Sequence, residues 1–289
     1  MKIGIIGAGR VGCSMGKYLM EQGCTVAGYY SKSKKSVEEA ATFTNTRAFS
    51  SLEEIVKNCD VIWITTPDSE IRSVWESIQT LSVRDKIICH FSGSLSSVVF
   101  SNRDGKGINA CSIHPMYAFN QKFTSYQQLK DVLFTMEGDS EAVFAMKFLF
   151  EKMGNTVYII SPEQKMRYHA AAVMASNLII GLYQMSLDML ADCGFDEYSA
   201  KKLLGPLIRD NVLNMLEQSL EEALTGPVER GDAETVRGHI AVLTPQEQNV
   251  YLTLSERLVD IAGRKNPERD YRELMDILRQ RTKMCADGE

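Results

Sequence analysis

The sequence predicts a two-domain protein: an α/β domain with a doubly wound, mainly parallel sheet over residues 1–160, then an all-helical domain over residues 161–289. Three observations carry this expectation. Short β-branched runs alternate with helical segments through the first half. A glycine-rich turn joins the first strand to the first helix, and no strand pattern occurs after Ser161-Pro162.

Residues 2–6 are apolar and β-branched, and a helix then runs to about residue 21. Residues 25–30 form the next strand. Ser51-Leu52-Glu53-Glu54 has the spacing of a capping box and starts a short helix. Residues 60–65 are a near-continuous apolar run, as a central parallel strand buried on both faces requires. Residues 86–91, 109–113, 132–136 and 156–160 supply further strands, with a helix over 140–153. Beyond Pro162 the pattern is helical: residues 163–192, stopped by Cys193-Gly194, then 197–204, 207–224 and 233–243. Thr244-Pro245-Gln246-Glu247 combines a capping box with proline at the first helical position and opens a helix to about Gly263. Asn266-Pro267 starts the last helix, with Tyr271, Leu274, Met275 and Leu278 on one stripe.

Composition excludes several classes. Of 289 residues, 44% are hydrophobic and 24% charged, which is the balance of a globular chain rather than a disordered one. A net charge of −5 speaks against nucleic-acid binding. The longest apolar stretch, residues 170–183, is too short to span a bilayer, and the N-terminus lacks a signal-peptide pattern. The seven cysteines (Cys13, Cys24, Cys59, Cys89, Cys111, Cys193, Cys285) form no close pair along the chain. That pattern implies a reduced, cytoplasmic protein with neither a disulfide framework nor a thiolate metal site.

The most informative motif is Gly7-Ala8-Gly9-Arg10-Val11-Gly12, which follows a strand and opens a helix. The first glycine permits the tight turn, the second lets the backbone approach a pyrophosphate, and the third allows close helix–strand packing. The phosphates rest on the positive end of the helix. Cofactor choice is read after the second strand, where an NAD site carries an acid for the ribose 2′-hydroxyl. Here the stretch is Tyr29-Tyr30-Ser31-Lys32-Ser33-Lys34-Lys35, without an acid between Glu21 and Glu38. Ser31, Lys32 and Ser33 suit a 2′-phosphate, so NADP is the expected cofactor, with Arg10 flanking the adenine. A solvated basic turn is the competing reading.

Ligands of doubly wound sheets lie at the carboxyl ends of the strands. Thr65-Thr66-Pro67-Asp68 and Ser92-Gly93-Ser94 therefore line the expected cofactor path. His114 follows the next strand, either as a substrate orienter and proton donor or as a structural histidine in a tight turn. No spacing of His, Cys or carboxylates suggests a metal site, and no nucleophile elbow occurs.

Together, Gly-Ala-Gly-Arg-Val-Gly, His90-Phe91-Ser92-Gly93-Ser94-Leu95-Ser96, Ser112-Ile113-His114-Pro115-Met116 and Phe134-x-x-Glu137-Gly138-Asp139 resemble one family. His169-Ala170-Ala171-Ala172-Val173-Met174-Ala175-Ser176-Asn177 and Thr225-Gly226-Pro227-x-x-Arg230-Gly231-Asp232 extend the likeness over nearly the whole chain. The resemblance is to Rossmann-like NADP oxidoreductases that carry a DUF2520-type helical C-terminal domain. More distantly the chain is similar to pyrroline-5-carboxylate reductases and to 6-phosphogluconate and other β-hydroxyacid dehydrogenases. It is likewise similar to prephenate dehydrogenases and deazaflavin-dependent NADP reductases. The resemblance implies the fold and the cofactor, not a substrate. It also implies a homodimer, since the long helices of related dehydrogenases pair across a two-fold axis.

His169, Val173 and Asn177 share a helix face at i, i+4 and i+8, with Ser176 beside them, and such a polar line on a buried face needs partners. In β-hydroxyacid dehydrogenases this helix carries a catalytic Lys and Asn one turn apart. Here Lys165 and His169 are one turn apart, Val173 comes next, and Asn177 follows a turn later. The expected proton relay is His169 with Asn177 and Ser176 as orienters and His114 in reserve; satisfied core polar groups are the competing reading. Further on, Gly226 and Pro227 end one helix and Asp232 caps the next. Arg230, Thr235 and His239 are candidates for an anion pocket there, although capping alone accounts for the pattern.

The expectation is an NADP-dependent oxidoreductase that moves a hydride between the nicotinamide and a small carbonyl, imine or alcohol, with its substrate pocket in the cleft between the domains. The alternative is an NADP-binding sensor without turnover.

Overall fold

Runs of Ile, Val and Trp without polar alternation bury both faces, and they form the middle of an eight-stranded sheet. The computed structural model describes residues 1–81, 83–103 and 105–284, so Cys285 lies outside the described residues. The chain divides into two compact units, Met1–Asn177 and Leu178–Glu289.

The first unit holds β1 (Ile3–Ile6), α1 (Arg10–Glu21), β2 (Val26–Tyr30), α2 (Lys34–Thr44), β3 (Arg47–Ala48) and α3 (Leu52–Asn58). It continues through β4 (Val61–Ile64), α4 (Asp68–Gln79), β5 (Ile87–His90), β6 (Asn109–Pro115), β7 (Phe134–Gly138), α5 (Ser140–Lys152), β8 (Val157–Ile159) and α6 (Lys165–Met174). The sheet order is β3-β2-β1-β4-β5-β6-β7-β8. Every residue of β1 and β4 is buried, and these strands pair in register from Ile3↔Val61 to Ile6↔Ile64. Strand order reverses beside β1, which creates the crevice where doubly wound folds bind ligands.

Side chains alternate between two cores. On one face Trp63 stacks on Phe150 with centroids 5.9 Å apart, and on the other Trp75 meets Phe100 edge-on at 5.5 Å. Burying each such side chain contributes about 2 kcal/mol, so these two layers hold the sheet. Cys89 and Cys111 are in register on β5 and β6 with their sulfurs 3.4 Å apart, both as buried free thiols.

Two features of the sheet depart from the sequence reading. The two-residue strand β3 is too short to show a period. β7 runs antiparallel to β6, from Cys111↔Gly138 to Pro115↔Phe134. The connection between them holds the 3-10 segment Ser125–Asp131 instead of a crossover α-helix, so the chain returns in the opposite direction.

The second unit is helical in its described residues: α7 (Asn177–Asp192, beginning at the unit boundary), α8 (Glu197–Glu217), α9 (Leu220–Ala223), α10 (Pro227–Arg230), α11 (Ala233–Val242), α12 (Pro245–Lys265) and α13 (Arg272–Met284). Val228, Val236, Leu252, Val259, Tyr271, Leu274 and Leu278 form its core. The capping box at Thr244 is made in both directions. α8 continues through Gly205-Pro206, where the sequence suggested a break. The carbonyl of Lys202, which Pro206 leaves without a donor, belongs to an exposed residue that water can serve. Asn266 caps the end of α12 rather than starting α13.

The single helix expected over residues 163–192 is two. A turn at Ala175-Ser176 separates α6 from α7, with the Ser176 hydroxyl donating back to the Ala172 carbonyl at 2.6 Å. Contrary to the sequence reading, Lys165–Asp192 is by length and composition alone long and apolar enough to cross a bilayer. Its apolar residues are exposed or half-buried within the single chain apart from Leu187, the one buried residue on α7; on the following α8 the one buried residue is Ala200.

Candidate active site

The first β-to-α corner is shaped by Gly7, Gly12 and Thr65. Gly7 has φ +111°, a region that only glycine enters freely. Its N–H donates to the Tyr30 carbonyl at 2.8 Å, and the Thr65 hydroxyl donates to the Gly7 carbonyl at 2.8 Å. A Cβ on Gly12 would strike that same carbonyl, so close packing requires this glycine. Gly9 differs, because a Cβ there would meet no protein atom within 4 Å. Packing does not explain Gly9; an open approach to the backbone does. Gly9 is also the N-cap of α1 and has no side chain to cap it, so the first-turn amides of Arg10, Val11 and Gly12, which have no intrahelical acceptor, are left uncapped. Ala8 is buried beneath the turn and Arg10 is exposed beside it.

Beyond this corner is a cavity of about 490 Å³, lined by residues that include Tyr30, Ser31, Lys32, Thr66, Pro67 and Glu70. The Thr66 hydroxyl is buried without a hydrogen-bond partner. Lys32 is not free for a phosphate: its Nζ sits 2.5 Å from Glu70 Oε2. Ser33 caps α2, its hydroxyl oxygen accepting from the Ser36 amide at 3.3 Å. The open amides, the absent Cβ at Gly9 and the unpartnered Thr66 hydroxyl fit a dinucleotide with its diphosphate on α1.

At the carboxyl ends of β5 and β6 a second group assembles. Ser92 donates to Asp68 Oδ2 at 2.6 Å and accepts from the Leu95 amide at 2.9 Å, while Ser94 donates to the same Asp68 oxygen at 2.9 Å. Ser92 therefore ties the turns after β4 and β5 together. Gly93 lies against two imidazoles: a Cβ there would be 2.5 Å from His169 Nδ1 and 2.7 Å from His114 Nε2. The two rings are edge-to-face with centroids 5.8 Å apart. His114 Nδ1 hydrogen-bonds the Tyr168 hydroxyl at 2.8 Å, and His169 Nδ1 is buried without a partner.

Lys165 enters this group from the first turn of α6. Only 1% exposed, its Nζ has no hydrogen-bond partner and lies 3.9 Å from Glu137 Oε1. Glu137, equally buried on β7, accepts from the Ser97 amide at 2.9 Å and the Ser97 hydroxyl at 2.7 Å. Burial pushes the Lys165 amine down to about 8, against the opposing pull of Glu137. Burial, reinforced by the Lys165 charge, pushes His114 and His90 each down to about 4. Both imidazoles are neutral at pH 7, and Lys165 is held nearest its protonation midpoint there. An ammonium of that kind can release and recover a proton.

Lys165, Tyr168 and Glu137 had no expected role. The spacing Lys165-x-x-Tyr168-His169 on one helix face was the signal for the first two. Glu137 comes from a strand distant in sequence and had none beyond its motif. Ser176 and Asn177 do not continue the His169 face. The turn after Met174 resets the helical phase, leaving both exposed and hydrogen-bonded to each other at 3.0 Å. The anion pocket expected in the second unit is not built. Thr235 donates to Asp232 Oδ2 at 2.7 Å, Arg230 faces the same carboxylate at 3.9 Å, and His239 Nδ1 hydrogen-bonds Tyr251 at 2.8 Å. The carboxylate of Asp232 already occupies the start of α11.

Sheet order and glycine corner define a Rossmann-like domain, whose family model matches residues 1–115. The chain also carries the domain of unknown function DUF2520, matched over residues 132–258. Protein TM1727 of Thermotoga maritima is similar at 27% identity, with 91% of this chain and 99% of that one covered and a TM-score of 0.73. BF3122 of Bacteroides fragilis, named "putative NADP oxidoreductase", is similar at 24% identity over 90% of this chain and 98% of that one, TM-score 0.65. The Plasmodium falciparum pyrroline carboxylate reductase, solved with NADP bound, shares 18% identity over 92% and 96% of the two chains, TM-score 0.58. No curated protein sequence matches the chain.

Proposed function

We propose that this protein is an NADP-dependent oxidoreductase that moves a hydride to or from a small carbonyl, imine or alcohol. The observation that carries the reading is the corner at Gly9, where uncapped amides meet an opening that no Cβ obstructs. Gly7 to Gly12 hold the diphosphate, Ser31, Ser33 and a Lys32 released from Glu70 attend the ribose phosphate, and Thr65, Thr66, Pro67, Ser92 and Gly93 line the way to the nicotinamide. The nicotinamide supplies the hydride. Lys165 exchanges the proton with the substrate oxygen or nitrogen, Glu137 holds the amine, and the His114–His169 pair orients the substrate. NADP-linked relatives in the structural comparison support the cofactor class.

The test is titration of the purified protein with NADPH and NADH, followed by a screen of small carbonyls and imines monitored by NADPH absorbance. Absence of binding by either nucleotide refutes the reading. A sensor without turnover is the second reading; it is favoured by Val173 standing one turn after His169 and by the exposure of Asn177. Nucleotide binding combined with a silent screen supports it.

We further propose a homodimer. Leu178, Ile180, Leu203, Leu207 and Leu216 on α7 and α8 are 55% to 74% exposed in the single chain, and apolar surface of this extent is normally covered by a partner.

A further inference from the structure

The loop after β2 holds no acid, yet the fold brings one to it from the first turn of α4, a part of the chain beyond β4. Glu70 and Lys32 line one cavity and pair at 2.5 Å. With the Lys32 side chain 82% exposed and that of Glu70 40%, the pair contributes little to folding, and its partners can be exchanged for a ligand. We infer that Glu70 is a specificity residue, an acceptor for the ribose 2′-hydroxyl that lets this pocket take the unphosphorylated dinucleotide as well as the phosphorylated one.

The inference rests on the dinucleotide reading above. A 2′-phosphate must draw Lys32 away from Glu70 and then sit beside a carboxylate of its own sign. A 2′-hydroxyl donates to that carboxylate and leaves Lys32 paired. The two side chains therefore oppose each other in cofactor choice: Lys32 favours the phosphate, and Glu70 favours the hydroxyl while penalising the phosphate.

The experiment is fluorescence titration of the wild-type protein, Glu70→Gln and Lys32→Gln with NADPH and with NADH at fixed ionic strength. Glutamine keeps the volume and removes the charge, and the exposure of both sites makes misfolding a minor concern, which circular dichroism verifies. The wild type is expected to bind both nucleotides with affinities within about tenfold. Glu70→Gln should raise the NADPH-to-NADH affinity ratio by about tenfold, the worth of one charge-assisted hydrogen bond, and Lys32→Gln should lower it. A ratio left unchanged by Glu70→Gln, with both nucleotides still binding, overturns this inference alone. Failure of the wild type to bind either nucleotide overturns the dinucleotide reading and takes this inference with it.

Discussion

Lys165 Nζ lies 3.9 Å from Glu137 Oε1, with both side chains withdrawn from water and the amine lacking any hydrogen bond. Burying a charge without full satisfaction is costly, and the fold carries that cost at the carboxyl ends of its central strands. Buried, perturbed groups in such a position are candidates for chemistry.

That arrangement has a signature in alkaline stability. The folded Lys165 titrates at about 8 and the unfolded one at 10.5, so between these values the unfolded chain binds the extra proton. The contribution of this residue to stability therefore rises with pH from about 8 to 10.5, recovering about 3 kcal/mol that is forfeited at neutrality. Urea unfolding of the wild type and Lys165→Met at pH 7.5 and pH 10 checks this. The wild type should gain on the variant as pH rises; a constant difference contradicts it.

The buried histidines act at the other end of the scale. His90 and His114 stay neutral in the folded protein down to about pH 4, whereas their unfolded counterparts protonate near 6.5. Stability is lost as pH falls from about 6.5 to about 4, by up to about 3 kcal/mol per histidine. His90→Leu should flatten the acid limb of the stability curve. An unaltered slope would mean that His90 is not held neutral.

At Gly93 the backbone lies against two imidazoles. Gly93→Ala forces His114 and His169 away from their seats, and overpacking of this kind destabilises by about 1 to 3 kcal/mol. Thermal denaturation should record the loss. If the proton-handling assignment holds, turnover of any substrate found by the screen should fall further than stability does.

The two glycines of the first corner make opposite predictions. Gly12→Ala collides with the Gly7 carbonyl and should lower both the melting temperature and nucleotide affinity. Gly9→Ala meets nothing, and its backbone is extended, at φ −80° and ψ −163°, a conformation alanine adopts freely. Melting should be unaffected while nucleotide binding weakens at least tenfold, the equivalent of about 1.4 kcal/mol. Unchanged binding in Gly9→Ala would remove the argument for a diphosphate at this corner.

The apolar face of α7 and α8 predicts a mass. Light scattering should give twice the monomer mass for the wild type, and Leu207→Glu should shift it toward the monomer by burying an unpaired carboxylate at the interface. A monomeric wild type refutes the dimer.

Local signals were readable directly from the residues. The strands β1 and β4, the glycine corner, the caps at Ser51 and Thr244 and the change to an all-helical chain depend on neighbours within a few positions, where periodicity and turn chemistry act. Features that join distant segments were not. The carboxylate beside Lys32 comes from another crossover, Glu137 reaches Lys165 from a strand whose antiparallel direction no local pattern encodes, and a hydroxyl back-bond ends α6 before Asn177 can join His169. Periodicity reports which face of an element is apolar. Which charged groups meet there depends on strand order and chain direction, and these follow from packing the whole sheet.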